Sequence, residues 1–393
     1  MRLVDDEERR ARLARRHGLH PEHRHPDPVA ATRALTVLHA TEPATVHLSL
    51  QARVPGLTVA DVERCLHEDR TLVKQLAMRR TLFVFPRELL PAAWGSASAR
   101  VAGTELRRLA ADVERSGVGA DGTAWLEQAG AAVLDHLARE GELDARSLRE
   151  QLPVLEARVL QGSGAYAGEA AVASRLLTLL GARGLLVRGH NGGHWRVSRP
   201  RWTPMATWLG PTPEPLGEAE GYAALVERWL WSFGPGTEAD LVWWLGATKS
   251  AVRRALADLG AVEVALEGGG TGWLRPDDTD PVGPPGPWAS LLPVLDPTTM
   301  GWKERDFYLD PADRPFLFDT QGNAGTTAWW DGRVVGCWVQ DPDGVVVVVP
   351  RADLPAEAAA ALAAEAERLT TWLDGQVVGS VYSSPQMRGA RLP

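Results

Sequence analysis

The sequence predicts an α+β fold of three tandem winged helix-turn-helix domains, a small antiparallel β-barrel domain and a C-terminal helix. Two observations lead to this fold class. One order of elements, three helices and then two strands around a glycine turn, recurs three times before residue 283; it is the winged-helix layout. Residues 284–393 instead hold short apolar or alternating runs split by Asp-Gly and Pro, a spacing typical of a small antiparallel barrel or sheet.

Length and linkers set the expected domain boundaries. A chain of 393 residues is too long for one ordinary core. Proline-rich and acidic stretches at residues 211–218 and 277–287 read as linkers. The predicted domains are 1–120 with the first repeat, 121–212 with the second, 213–283 with the third, and 284–393 with the barrel and terminal helix.

The third repeat is the clearest. A helix over residues 221–233 runs into a Gly-Pro break. The next short helix takes Thr237 or the preceding glycine as its cap and stops at Gly246. Thr248 then caps a third helix that ends at Gly260, and two glycine-joined strands follow.

The other elements follow from the same local signals. The second repeat has helices at 124–140, 144–153 and 168–184, then a hairpin with Asn191-Gly192-Gly193 at its tip. The first repeat has helices near 30–41 and at 57–70, and residues 71–86 run into a strand. The last domain has apolar runs at 291–297, 306–309, 315–318, 326–340 and 344–350, then an Ala-rich helix at 356–373.

Composition excludes several classes of protein. The two cysteines, Cys65 and Cys337, give no disulfide framework and no CxxC metal signature, and we expect no cofactor. The charged start is not a signal peptide and no window has about 18 apolar residues, so we expect a cytoplasmic protein. The net charge of −8 argues against general nucleic-acid binding, but a local basic face would suffice. Basic clusters such as residues 8–17 are each interpreted as a solvated face.

The stretch His39-Ala40-Thr41-Glu42-Pro43 interrupts an apolar segment that looks like a helix end. On a continuing helix, residues i and i+2 point about 200° apart. Pro43 pushes Glu42 out of the α region, and in an extended stretch His39 and Thr41 share a face. Taken alone, the stretch favours a plainer alternative, in which His39 packs in a core and Thr41 caps the next turn.

Three blocks of sequence carry a resemblance to a known family. Residues 38–86 resemble the first winged helix of the bacterial AlkZ/YcaQ-like DNA glycosylases, and residues 291–309 and 322–338 resemble that family's C-terminal barrel. The resemblance implies a monofunctional, monomeric enzyme that excises alkylated purines from double-stranded DNA, including bulky N7 or N3 adducts and interstrand crosslinks. Some members protect antibiotic producers from their own genotoxins.

The catalytic motif departs from the family. The family has Gln-x-Gln or Gln-x-Asp where this chain has His39-Ala40-Thr41. The later Leu50–Arg53 run mimics the motif, and we interpret Gln51 and Arg53 as helix surface. In the expected chemistry a neutral His39 accepts a proton from the attacking water, and Thr41 holds that water or a phosphate oxygen. Glu42 orients His39 or stabilises positive charge on the sugar.

DNA contacts are expected from basic side chains outside the motif. The middle stretches of the third helices carry few side chains suited to base edges, which favours recognition of DNA shape or damage over an operator. A non-enzymatic DNA-binding protein or transcriptional regulator remains the alternative. The candidate DNA-binding residues are Arg79, Arg80, Lys303, Arg305, Arg196 and Arg199 and, in the tail, Arg388 and Arg391.

Overall fold

A computed structural model describes residues 1–161 and 168–389 as a mixed α+β protein. The chain divides into two compact units. Residues 1–65 together with the described residues from 223 onward form the discontinuous unit, and residues 66–222 form the central unit. The boundaries of the four predicted domains stay a prediction.

The discontinuous unit begins with short elements. They are β1 (Leu3–Val4), α1 (Asp6–Arg16), α2 (Pro28–Ala34), β2 (Leu38–His39), α3 (Pro43–Gln51) and α4 (Val59–Glu63), followed by a π turn over Arg64–Glu68. The helix predicted near residues 30–41 ends at Ala34, because Thr36 adopts a left-handed conformation (φ 65°). A β-branched residue enters that region only when its surroundings hold it there.

The basic cluster on α1 is not the solvated face that its sequence suggests. The Arg12 side chain is buried and pairs with Glu8 Oε1 at 2.8 Å and with Asp278 Oδ1 at 3.0 Å. Asp278 is distant in sequence, so the local charge pattern does not predict this burial. The cluster is therefore part of the packed structure of the discontinuous unit.

Among its described residues, the central unit contains three antiparallel strand pairs and several helices. Its elements are β3 (Leu72–Ala77), β4 (Thr81–Pro86), α5 (Leu90–Gly95), α6 (Ala97–Arg115), α7 (Gly122–Glu140), α8 (Ala145–Gln151), β5 (Arg158–Gln161), β6 (Gly168–Ala171), α9 (Ala173–Ala182), β7 (Leu186–Asn191), β8 (Pro200–Pro204) and α10 (Met205–Leu209). Strand β3 pairs with β4, β5 with β6, and β7 with β8. Apolar side chains of α6, α7 and α9, among them Val113, Val133 and Leu176, form its core.

In the second repeat, α7, α8 and the β7–β8 hairpin confirm the predicted elements. The third helix begins at Ala173 instead of residue 168, because residues 168–171 pair with β5 as a strand. Helix α6, which has 19 residues, and the complete β3–β4 hairpin were not predicted.

The chain then returns to the discontinuous unit. The elements are α11 (Glu218–Phe233), α12 (Glu238–Leu245), α13 (Lys249–Asp258), β9 (Val262–Leu266), β10 (Thr271–Leu274), β11 (Ala289–Leu292), α14 (Pro297–Met300), α15 (Arg314–Leu317), β12 (Thr327–Trp330), β13 (Arg333–Gln340), β14 (Val346–Pro350), α16 (Ala356–Leu373) and α17 (Pro385–Gly389). The third repeat follows its prediction closely: Thr237 and Thr248 cap α12 and α13, and left-handed Gly246 (φ 62°) stops α12.

Two sheets complete this unit. Strand β9 pairs antiparallel with β10 and parallel with the two residues of β1. Strands β11, β12, β13 and β14 form a four-stranded antiparallel sheet in that order, and α16 packs against it. The sheet is open among the described residues, so the predicted barrel closure is not found. The strands predicted at 306–309 and 315–318 are also wrong, since α15 occupies the second stretch and no strand covers the first.

Candidate active site

The predicted motif lies between a short strand and a helix. His39 ends β2 and is 7% exposed, whereas Thr41 is exposed. Glu42 is the N-cap residue of α3 in an extended conformation (φ −103°, ψ 125°), as expected before Pro43. Thr41 is therefore not the helix cap that the alternative interpretation requires, although the burial of His39 agrees with that interpretation.

Glu42 is a half-buried carboxylate held by uncharged donors. It accepts hydrogen bonds from the Val381 backbone N–H, at 2.8 Å, and from the Ser380 hydroxyl. Burial raises the pKa of Glu42 above its usual value even though both hydrogen bonds favour the charged form. The side chain therefore carries its charge at some free-energy cost.

A cavity of about 410 Å³ opens beside Glu42, within the discontinuous unit. Its wall combines apolar and polar side chains, which suits a ligand with both characters. Among the lining residues are Glu42, Leu48, Val294, Trp338, Met387 and Arg388. The candidate residues Glu42 and Arg388 are thus brought to one cavity, and His39 and Thr41 are not among its lining residues.

Helix α3, which follows the motif, is fixed by a buried ion pair. Arg53 donates from Nη1 and Nη2 to the two carboxylate oxygens of Asp296, at 2.9 and 2.7 Å, and both side chains are fully buried. Ser49 Oγ also donates to Asp296, at 2.7 Å. The interpretation of Gln51 and Arg53 as helix surface is wrong, because both are buried. The sequence around Arg53 does not predict this burial, because its partner Asp296 is remote in sequence.

The ion pair continues into a hydrogen-bond network that reaches the other side of the motif. Arg53 Nη2 donates to Thr298 Oγ1, which is hydrogen-bonded to His17 Nδ1 at 2.8 Å, and His17 Nε2 is hydrogen-bonded to the Ser232 carbonyl. The Ser232 hydroxyl bonds to Thr36 Oγ1 at 2.8 Å. Burial lowers the pKa of His17 well below its usual value, so it is neutral at pH 7. The network therefore holds the backbone before and after His39-Ala40-Thr41.

The hairpin tip between β3 and β4 carries two exposed arginines. Arg79 and Arg80 both adopt left-handed backbone conformations, with φ of 53° and 61°. Such conformations are uncommon for residues other than glycine and occur where the surroundings enforce them. Arg80 Nε pairs with Glu105 Oε2 on α6 at 3.1 Å, which fixes the tip against that helix.

The remaining DNA-binding candidates are distributed over the molecule. Arg199 is exposed and Arg196 half-buried in the loop that joins β7 to β8, whose backbone the Asn191 side chain holds. Lys303 and Arg388 are exposed. Arg391 lies outside the described residues.

Arg305 differs from the other candidates because it is buried. Its side chain is 3% exposed, and its guanidinium carbon lies 4.7 Å from the Phe318 ring centroid. A guanidinium enclosed in this way does not reach a phosphate, so the structure removes Arg305 from the DNA-binding candidates. The sequence run around it, which is polar, gave no sign of this packing.

Three arginines that are not among the DNA-binding candidates from the sequence share a surface groove with Arg80. They are Arg108 and Arg115 on α6 and Arg175 on α9. The seven-residue spacing of Arg108 and Arg115 on one helix was the available signal. Within residues 1–161 and 168–389, no group of three or more His, Cys, Asp or Glu side chains is arranged to hold a metal ion. In the same residues no helix is long and apolar enough to cross a membrane.

Comparisons with known proteins identify a matching family and a similar solved structure. The family model described as DNA glycosylase AlkZ-like matches residues 32–372. The structure of Streptomyces sahachiroi DNA glycosylase AlkZ is similar with a TM-score of 0.73 and 22% sequence identity, over 94% of this chain and 98% of that one. No curated protein matches the sequence. At this identity the structural likeness shows the fold, and the family model shows the family.

Proposed function

Because this chain belongs to the AlkZ-like DNA glycosylase family, we propose that it hydrolyses the N-glycosidic bond of N-alkylated purines in double-stranded DNA. Bulky N7 or N3 adducts and interstrand crosslinks are the proposed lesions. The observation that carries the proposal is the backbone of the motif at residues 39–41, which is not helical. The hydrogen-bond network that extends from Thr36 to Arg53 holds the chain on both sides of it. Fixed geometry of this kind is what a positioned water needs.

The chemistry follows from the leaving group. An alkylated purine is already cationic, so its departure requires little acid catalysis. What remains is to position a water and to stabilise an oxocarbenium-like sugar. In this proposal, neutral His39 accepts the proton of the water, and the Thr41 hydroxyl, which both donates and accepts, orients the same water.

Glu42 supplies negative charge in this scheme. Burial leaves it partly desolvated, although it accepts hydrogen bonds from Ser380 and Val381. A carboxylate in such surroundings interacts more strongly with a developing positive charge than one in water. We assign it to stabilisation of the cationic sugar, with orientation of His39 as the other role open to it.

The proposal includes monofunctional activity. A glycosylase that also cleaves the strand as a lyase commonly uses an amine nucleophile, and lysine forms Schiff bases with carbonyl groups. No lysine occurs between residues 1 and 73, the stretch that contains the motif. Hydrolysis by water is therefore the simpler assignment.

Further parts of the proposal concern architecture and biology. The three helix-and-hairpin repeats are proposed to be winged helices that dock the duplex through phosphate contacts. We propose a cytoplasmic monomer that protects its cell from a genotoxin, and a genotoxin-biosynthesis operon beside the gene would support that role.

The test uses duplexes that carry N7-alkylguanine at one position. Incubation with the protein and then alkaline cleavage should give a strand break at the modified base only, because alkali cuts at abasic sites. Without alkali, the strand should stay intact if the enzyme is monofunctional. Tight binding to one undamaged palindromic site, together with no abasic product from several alkylated duplexes, would identify a regulator and refute the proposal.

A further inference from the structure

An open groove of about 750 Å³ lies on the central unit, between α6, α9 and the tip of the β3–β4 hairpin. Four guanidinium groups and two carboxylates line it, an excess of two positive charges in a chain whose net charge is −8. The charged residues are Arg80, Glu105, Arg108, Asp112, Arg115 and Arg175. The groove therefore has the opposite sign of charge to the protein as a whole.

The two carboxylates each contact two arginines. Glu105 lies 3.1 Å from Arg80 Nε and 4.0 Å from Arg108 Nη1. Asp112 lies 2.5 Å from nitrogens of both Arg115 and Arg175. A guanidinium has five N–H donors, so these contacts leave most donors of the exposed arginines available to a ligand.

Exposure separates the floor of the groove from its rim. The Glu105 side chain is 8% exposed, whereas those of Arg80 and Arg108 are 53% and 70% exposed. The carboxylates thus lie below the arginines and hold them in place, which reduces the side-chain entropy lost when a ligand binds. The available donors face solvent.

The spacing of the rim fits a nucleic-acid backbone. Arg108 and Arg115 are seven residues apart on α6, about 10.5 Å along the helix axis. That distance is about the axial rise of three base pairs in duplex DNA. Arginine forks bind phosphate oxygens through two parallel hydrogen bonds.

We propose that this groove binds phosphates of the duplex DNA backbone, with Arg80, Arg108 and Arg115 as donors and Glu105 and Asp112 as positioning residues. The inference rests on the proposed function, since its partner is the DNA on which the enzyme acts. It assigns contacts to α6 that neither the motif nor the predicted wings supply. Arg175, whose side chain is 15% exposed, stays paired with Asp112 and supports the floor.

The experiment measures binding of the full chain to a short undamaged duplex, by fluorescence anisotropy, between roughly 50 and 200 mM salt. Arg108→Gln/Arg115→Gln should bind about tenfold or more weakly at the low-salt end. The slope of log K against log salt should fall in magnitude by about two, one for each lost phosphate contact. Arg139→Gln is the matched control, because Arg139 is exposed on α7 and does not line the groove.

The inference would be overturned if the double variant melted at the parental temperature and still bound the duplex with the parental affinity and salt slope. It would also be overturned if the parent chain bound no duplex. Displacement of the duplex by inorganic phosphate at constant ionic strength would reassign the groove to a free anion. The assay uses undamaged DNA, so it separates this inference from the proposed activity. If the parent excises alkylated bases but the double variant keeps the parental salt slope, only the groove inference is refuted. If the double variant has a reduced slope but the parent shows no excision, only the glycosylase proposal is refuted.

Discussion

Arginine–carboxylate pairs occur in two contrasting settings in this protein. Arg53 and Asp296 in the discontinuous unit are both fully buried, and the pair is bidentate. Arg108 and Glu105 in the central unit lie 4.0 Å apart with the arginine largely exposed. The same two functional groups therefore fix a helix in one place and leave donors for a ligand in the other.

Solvent explains the difference. In the buried pair the lost hydration of both charges has to be replaced by neighbours, and Ser49, Thr298 and backbone groups do so. Such a pair tolerates no missing member. Water solvates the Arg108 guanidinium whether or not its pair with Glu105 forms, and Glu105 also pairs with Arg80. The contribution of the Arg108–Glu105 pair to stability is therefore small, about 0–1 kcal/mol. Burial thus decides whether an arginine serves the fold or is available for binding.

The largest expected effect is on the buried pair. Asp296→Ala leaves the Arg53 charge without its partner in the interior, which should cost about 3–5 kcal/mol of the free energy of unfolding. Urea denaturation followed by far-UV circular dichroism measures the loss. Arg53→Met/Asp296→Leu removes both charges and should recover part of it. A loss below about 1 kcal/mol in Asp296→Ala would show that burial does not distinguish the two settings.

The second prediction concerns His39, which is buried, and Thr41, which is exposed. His39→Ala should lower the excision rate about 10²-fold or more if His39 is the general base. Thr41→Ala should lower it less, because water replaces one exposed hydroxyl readily. Single-turnover excision of an N7-alkylguanine duplex measures both rates. A His39→Ala protein that keeps the parental melting temperature and the parental rate would remove His39 from the mechanism.

Glu42 lies between the two settings, since it is half-buried and its hydrogen bonds come from uncharged donors. Its pKa is raised in the folded state, so folding favours the protonated form. The parent should lose stability as pH rises from the usual carboxyl pKa to the raised pKa of Glu42. Its stability should remain at the lower level at higher pH. Glu42→Gln should lack this slope and be more stable than the parent at neutral pH.

Melting temperatures measured from about pH 4 to pH 7.5 test whether the parent loses stability relative to Glu42→Gln as pH rises. Asp258→Asn serves as control, because Asp258 is an exposed carboxylate at the end of α13. If the melting temperatures of the parent and Glu42→Gln changed in parallel with pH, burial would not raise the pKa of Glu42.

The smallest effect is expected for the exposed pair. Arg108→Gln should change the free energy of unfolding by no more than about 0.5 kcal/mol, because Arg108 is largely exposed and Glu105 keeps its ion pair with Arg80. The same urea denaturation measures it beside Asp296→Ala. A loss above about 2 kcal/mol would give Arg108 a structural role and erase the contrast between the two settings.

Elements set by neighbouring residues are those that the sequence predicts well. Helix α16 covers the predicted residues 356–373 in full, and the caps Thr237 and Thr248 are confirmed. Each depends on propensities and side-chain hydrogen bonds within a few positions. The extended backbone of Glu42 was predictable for the same reason, since Pro43 constrains the residue before it. The end of α2 at Ala34, before the motif, was not.

Features that depend on distant partners were not predictable. The burial of Arg53 requires Asp296, and the environment of Glu42 requires Ser380 and Val381. Neither partner carries a local signal that points to the motif. Residues 168–171 illustrate the same limit in the fold, because pairing with β5 overrides the helical pattern of their sequence.

The hydrogen bond from Val381 to Glu42 joins residues 339 positions apart, which has a consequence during protein synthesis. A ribosome adds roughly 5–20 residues per second, so about 20–70 s separate the appearance of the two residues. The unit that contains the motif also stays open while the central residues 66–222 are made. A nascent chain that does not yet include Val381 therefore exposes Glu42 to water and lacks the finished surroundings of the motif.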